Sequence, residues 1–126
     1  MNCAIDEVSH NYQDWGLSNL SYQDGLLTLN LVTYKNGEDP IKFMVVFTDV
    51  VLFETYDESS HFQDYHESRD SGVIGVYSKS SLLEYAQTKT NIISLNNQKL
   101  LHYSVMTTDE VVHVLTNIEP KVITVT

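Results

Sequence analysis

Two runs of extended-favouring residues meet at Asp24-Gly25, and that junction constrains the chain more than any other feature of its sequence. Asp-Gly between such runs is the strongest short-range hairpin signal. Its tight turn needs positive φ at both central residues, which glycine adopts freely. Leu17, Leu20 and Tyr22 approach the turn, and the run from Leu26 to Tyr34 leaves it. On the outgoing run Leu27, Leu29 and Leu31 share one face, with Thr28, Asn30 and Val32 on the other. That alternation is the period of a half-buried strand. Lys35 to Pro40 reads as a second turn. Ile41 to Phe47 and Val50 to Tyr56 are apolar almost without a break, which predicts central strands, with Thr48-Asp49 a bend or bulge between them.

Later signals continue the pattern. Val73 to Tyr77 reads as a short buried strand. Ser80 or Ser81 can cap a helix that carries Leu82, Leu83, Tyr85 and Ala86 as far as about Lys89. Asn96-Asn97 is a turn. Leu100 to Met106 and Val111 to Leu115 form a second hairpin around Thr107 to Glu110. Glu119-Pro120 interrupts, and Val122 to Val125 is expected to close the sheet as an edge strand. Residues 1–14 are polar and weakly patterned, with Ile5 and Val8 at helical spacing, so they read as a short helix or a loosely ordered lead-in. The sum is one α+β domain over residues 1–126. It is expected to hold a β-rich antiparallel sheet of seven to eight strands, as a sandwich or partly open barrel, with one main helix near residues 80–89. A hydrophobic fraction of 42% is too high for intrinsic disorder.

Charge narrows the partners. Seventeen acids against seven bases give a formal net charge of −10, which repels nucleic acid and anionic membranes, so neither is an expected partner. Six of those acids (Glu54, Asp57, Glu58, Asp64, Glu67 and Asp70) fall between residues 54 and 70 against one base, Arg69. Tyr56, Phe62, Tyr65, His61 and His66 are interleaved with them. Residues 57–72 have little periodicity and read as a long loop ending at Gly72, uncommon in a compact domain unless it binds something or is disordered. Carboxylates mixed with rigid rings suit capture of a basic protein, because charge steers the encounter and aromatics anchor it. The expected partner-binding residues are Tyr56, Asp57, Glu58, Phe62, Asp64, Tyr65, Glu67 and Asp70.

Signs of catalysis are sparse. The five glycines are scattered at turns rather than gathered in a phosphate loop, and no Gly-x-Ser-x-Gly or His-Glu-x-x-His occurs. Cys3 is the single cysteine, so no internal disulfide forms, and its terminal position argues against a catalytic thiol. With no basic, apolar leader and no apolar window of roughly twenty residues, the expectation is a soluble cytoplasmic protein. His61 and His66 are five apart, a spacing that matches no standard ligand geometry, so no metal and no cofactor are expected. In any odd-sum register of the second hairpin, Leu101, Tyr103 and Val105 share a face with Val112 and Val114. His102 and His113 then lie together on the other face, directly opposed in one register. With Ser104 they could do acid–base chemistry; the ordinary reading has a helix or loop over them and their imidazoles bonded to backbone. Two alternatives stand beside a binding protein: a tyrosine-lined barrel for a small ligand, drawing on eight tyrosines, and a small His-dependent hydrolase.

The C-terminal half carries a resemblance. Ser80-Ser81-Leu82-Leu83-Glu84-Tyr85 is followed by Leu101-His102-Tyr103-Ser104-Val105-Met106-Thr107-Thr108-Asp109-Glu110-Val111-Val112-His113-Val114-Leu115 and then Glu119-Pro120-Lys121-Val122. Nearer the start, Asp24-Gly25 follows Trp15, and Phe53 precedes Asp57-Glu58. This order resembles a broad group of small bacterial immunity proteins encoded beside polymorphic or contact-dependent growth-inhibition toxins. The resemblance covers roughly residues 15–125, and its motifs are structural. It implies no catalysis and a cytosolic protein that binds and neutralises the C-terminal domain of a cognate toxin, often a basic nuclease. Binding residues in that group vary with the toxin, so it assigns none here. His113 stands where members of the group often carry Asp.

Overall fold

A computed structural model of the chain describes residues 3–34, 39–57, 68–89 and 99–125. In chain order they form α1 (Ala4–Val8), a 3-10 turn (Tyr12–Asp14), β1 (Gly16–Gln23), β2 (Leu26–Thr33), β3 (Ile41–Phe47), β4 (Leu52–Asp57) and β5 (Ser68–Arg69). There follow β6 (Ile74–Lys79), α2 (Ser81–Lys89), β7 (Leu101–Met106), β8 (Glu110–Thr116) and β9 (Lys121–Val125). All strand pairs are antiparallel. They make one sheet in the order β1-β2-β3-β9 and a second in the order β4-β8-β7-β6-β5. The protein is therefore α+β and mostly strand, with two sheets rather than a closed barrel.

The hairpin forms where Asp24-Gly25 demands it. Gln23 pairs with Leu26, and the turn residues take φ of 51° and 81°, the type I′ geometry that matches strand twist. Leu27, Leu29 and Leu31 are buried opposite Phe47, Val45 and Phe43. Those side chains and Tyr103, Val105, Val112, Val114 and Ile74 of the second sheet belong to one apolar cluster. Phe47 meets Tyr103 at 5.8 Å between ring centroids, joining the two sheets. Trp15 is fully buried, edge-on to Phe43 at 5.7 Å, and its indole N–H donates to the Ser9 carbonyl at 3.0 Å. A buried indole needs that partner to avoid an unsatisfied donor.

Three expectations need correction. Val50 to Tyr56 is not a central strand: β4 begins at Leu52 and is an edge of the second sheet. The chain changes sheets at Asp49, whose φ is 51°. There Val50 N–H donates to the Gly25 carbonyl and Val51 N–H to the Leu115 carbonyl, so adjacent residues are tied to different sheets. Second, the strands among the described residues number nine rather than seven or eight, because Ser68–Arg69 forms a short edge strand inside the predicted loop. Third, of the two readings of residues 1–14 the short helix holds, as α1, and the loosely ordered lead-in does not: Ile5 is fully buried and Cys3 packs against the core, with burial raising its thiol pKa. β3 is the central strand its sequence predicts, between β2 and β9, with Phe43, Val45 and Phe47 buried. Residues 35–38 of the expected turn from Lys35 to Pro40, and the expected turn at Asn96-Asn97, lie outside the described residues.

The helix starts as its sequence predicts. Ser80 is the cap, its hydroxyl oxygen accepting the Leu83 N–H at 2.9 Å. Ala86 is buried, while Tyr85 is exposed.

Candidate functional site

β4 ends at Tyr56 and Asp57, and the ladder sets Asp57 directly opposite Glu110 of β8. The adjoining β7–β8 turn is held by Thr107, which is buried. Its N–H and its hydroxyl both donate to the Glu110 carbonyl, at 2.9 and 3.0 Å. Thr108 N–H donates to the Trp15 carbonyl, fastening the turn to the core. Asp109 and Glu110 are therefore carried on a fixed backbone. Thr55, Tyr56, Asp57, Asp109 and Glu110 line an open notch of about 240 Å³. Like charges directly opposed across a ladder cost about 0.2–1 kcal/mol. A cationic side chain entering the notch would offset that cost. Among the described residues no group of three or more His, Cys, Asp or Glu is placed to hold a metal ion.

The structure divides the predicted binding set. Tyr56 and Asp57 are at this notch. Glu58, Phe62, Asp64, Tyr65 and Glu67, with His61 and His66, lie outside the described residues. Asp70 is not at the notch. It follows β5, on the opposite edge of a five-stranded sheet. Four strand spacings of ~4.8 Å put it about 19 Å away across the sheet. Its carboxylate accepts the Val76 N–H at 2.6 Å. Asp109 and Glu110 were read only as hairpin turn. Their place beside Asp57 depends on β4 lying next to β8, which no local pattern encodes.

Arg69, the one base of the acidic run, turns inward. Its Nε donates to Ser104 Oγ at 2.6 Å, and its two terminal nitrogens donate to the carbonyls of Asp70, Gly72, Val73 and Ser104 at 3.0–3.2 Å. All five donors of the guanidinium are used. Burial lowers its pKa. Its role is to clip the 69–73 backbone onto β7, so it is not a surface counter-charge.

The histidines of the second hairpin do share a face, but diagonally: His113 opposes Ser104, and His102 opposes Leu115. Both ring nitrogens of His102 bond side chains rather than the expected backbone groups. His102 Nδ1 bonds Ser80 Oγ at 2.5 Å, and its Nε2 bonds His113 Nδ1 at 2.9 Å. Because Ser80 Oγ already accepts from Leu83, the consistent assignment has its hydroxyl donating to His102, and His102 Nε2–H donating to His113. Tyr77 stacks on His102 at 3.9 Å and Tyr56 stands edge-on to His113 at 5.7 Å. Glu54 stands opposite His113 on β4. Burial, with His113 and Arg69 nearby, lowers the His102 pKa to about 3. A base that weak holds almost no proton near neutrality, which makes it a poor proton acceptor for Ser80. The network ties the start of α2 to β8 through side-chain hydrogen bonds.

No protein-family model, curated protein or solved structure matches the chain. Among the described residues no helix is long and apolar enough to cross a membrane.

Proposed function

We propose that this chain is an immunity protein that binds and neutralises a cognate basic toxin domain, a nuclease, in the cytosol and without chemistry of its own. One observation carries the reading: Asp57, Asp109 and Glu110 converge with Tyr56 around an open notch. That notch stands where the acid-rich segment starting at Glu58 leaves β4, in a chain of net charge −10. A nuclease holds its substrate through Lys and Arg contacts to phosphate. A surface presenting carboxylates competes for the same groups, with charge accelerating association. The sequence resemblance points to the same role.

The test begins with the product of the gene beside this one, captured on the tagged chain. Its association is then followed by stopped flow at several salt concentrations. Combining Asp57→Lys, Asp109→Lys and Glu110→Lys should slow association about 10- to 100-fold at low salt and flatten the salt dependence. An unchanged on-rate and slope would remove the notch from the interface. A small His-dependent hydrolase is the second reading, motivated by the Ser80–His102–His113 chain of hydrogen bonds. The low His102 pKa weighs against it, and a turnover lost in His102→Gln and His113→Gln variants would restore it. The ligand-binding barrel has no closed barrel to occupy.

A further inference from the structure

Among the described residues two open sheets leave four edge strands, and three of them are guarded against pairing with another chain. β1 carries a register shift between Leu17 and Asn19. β4 carries Glu54 and Asp57. β5 is two residues long, with a register shift of its own. Bulges, charges and shortness are the devices that keep edges from joining. β9 has none of them across Val122–Val125. Those four residues are all β-branched, Ile123 and Val125 are 43% and 39% exposed, and the only charge is Lys121 at the strand's start.

We propose that β9 pairs antiparallel with β9 of a second copy of this chain, joining two four-stranded sheets into one of eight. Charge selects that occupant. No strand of the first sheet contains an Asp or Glu, although the chain has seventeen. Two molecules of net charge −10 repel one another through almost any other approach, and this edge is where they meet without opposing carboxylates. The strand is also complementary to itself. A two-fold axis at Ile123 places that residue opposite the second copy's Ile123, Val122 opposite Thr124, and Lys121 opposite Val125, so no like charges face each other. β3 aligns Met44 with Ile123 on the outward face, which extends the apolar strip inward from the join. Main-chain hydrogen bonds supply affinity, as in strand addition generally. The inference stands apart from toxin neutralisation, whose proposed notch lies on the other sheet.

Sedimentation of the intact chain, with hydrogen exchange, tests it. The native chain should approach twice 14.4 kDa at high concentration and dissociate on dilution. Ile123→Lys, a change at an exposed side chain, should run as a folded monomer. Ile123→Cys in a Cys3→Ser background should form a disulfide-linked dimer under oxidation, since directly opposed Cα atoms lie about 4.5–5.5 Å apart. A native chain that is monomeric at every concentration overturns the proposal, and so does a dimer that survives Ile123→Lys. A monomer whose β9 amides gain protection only when a different polypeptide is added assigns the edge to that partner, and overturns it as well.

Discussion

Burying His102 among His113, Tyr77 and the Arg69 guanidinium makes its proton part of the folding equilibrium. Its folded pKa is about 3, below the value near 6.5 of an exposed imidazole. Above pH 6.5 both states hold it neutral and it contributes no pH dependence. Below 6.5 the unfolded chain takes up a proton that the folded chain refuses. Stability therefore falls as pH falls, by about 1.4 kcal/mol per pH unit until the folded pKa is reached. By pH 5 the loss is about 2 kcal/mol. His102→Gln keeps a hydrogen-bonding side chain that cannot titrate. Urea unfolding of the two proteins between pH 7 and 5 should give a shallower decline for the variant, by about that slope. Parallel curves would mean that folded His102 accepts its proton as readily as a solvated ring.

Among elements, β5 depends most on a single side chain. Two paired residues cannot hold an edge by ladder bonds alone, and Arg69 supplies five more hydrogen bonds to the segment and to β7. The guanidinium lies against Gly75, where an added Cβ would overlap Cζ and Nε of Arg69. Gly75→Ala should cost about 1–3 kcal/mol, the range for overpacking a filled site. In an Arg69→Ala background the same change should cost far less, because the obstructing group is gone. Equal costs in both backgrounds, read from denaturant midpoints, would show that Arg69 does not press on Gly75. This clip also marks what the sequence conceals. The Asp24-Gly25 hairpin, the Ser80 cap and the β7–β8 hairpin were legible because neighbours in sequence make them. The switch of sheets at Asp49 was not, since it rests on Val50 bonding the Gly25 carbonyl and Val51 bonding Leu115. The notch was half legible. Tyr56 and Asp57 stood out by charge and ring, but Asp109 and Glu110 join them only through strand order, and the same order carries Asp70 away.

At the scale of the whole molecule, the acids of the described strands all lie in one sheet. The first sheet's strands hold Lys42 and Lys121 and no acid, with Asp24 in its hairpin turn, while the second's hold Glu54, Asp57 and Glu110 beside Lys79 and the inward-turned Arg69, with Asp109 in its hairpin turn. Such a division gives one face that attracts bases and another on which acidic molecules can approach each other. It also sets a conflict between folding and capture. Asp57 and Glu110 face each other across β4 and β8, an arrangement that stability alone would discard. The Glu110 backbone closes the turn through Thr107, so its side chain can change without loosening the hairpin. Glu110→Thr, a residue suited to strands, should raise the stability of the free chain by about 0.2–1 kcal/mol by removing the like-charge pair. The same variant should associate more slowly with its basic partner, because one carboxylate of the notch is gone. A protein that keeps these acids for binding gains stability and loses on-rate in that single step. If Glu110→Thr instead lowers the denaturant midpoint and leaves association untouched, Glu110 serves the fold and the notch is not where the partner is caught.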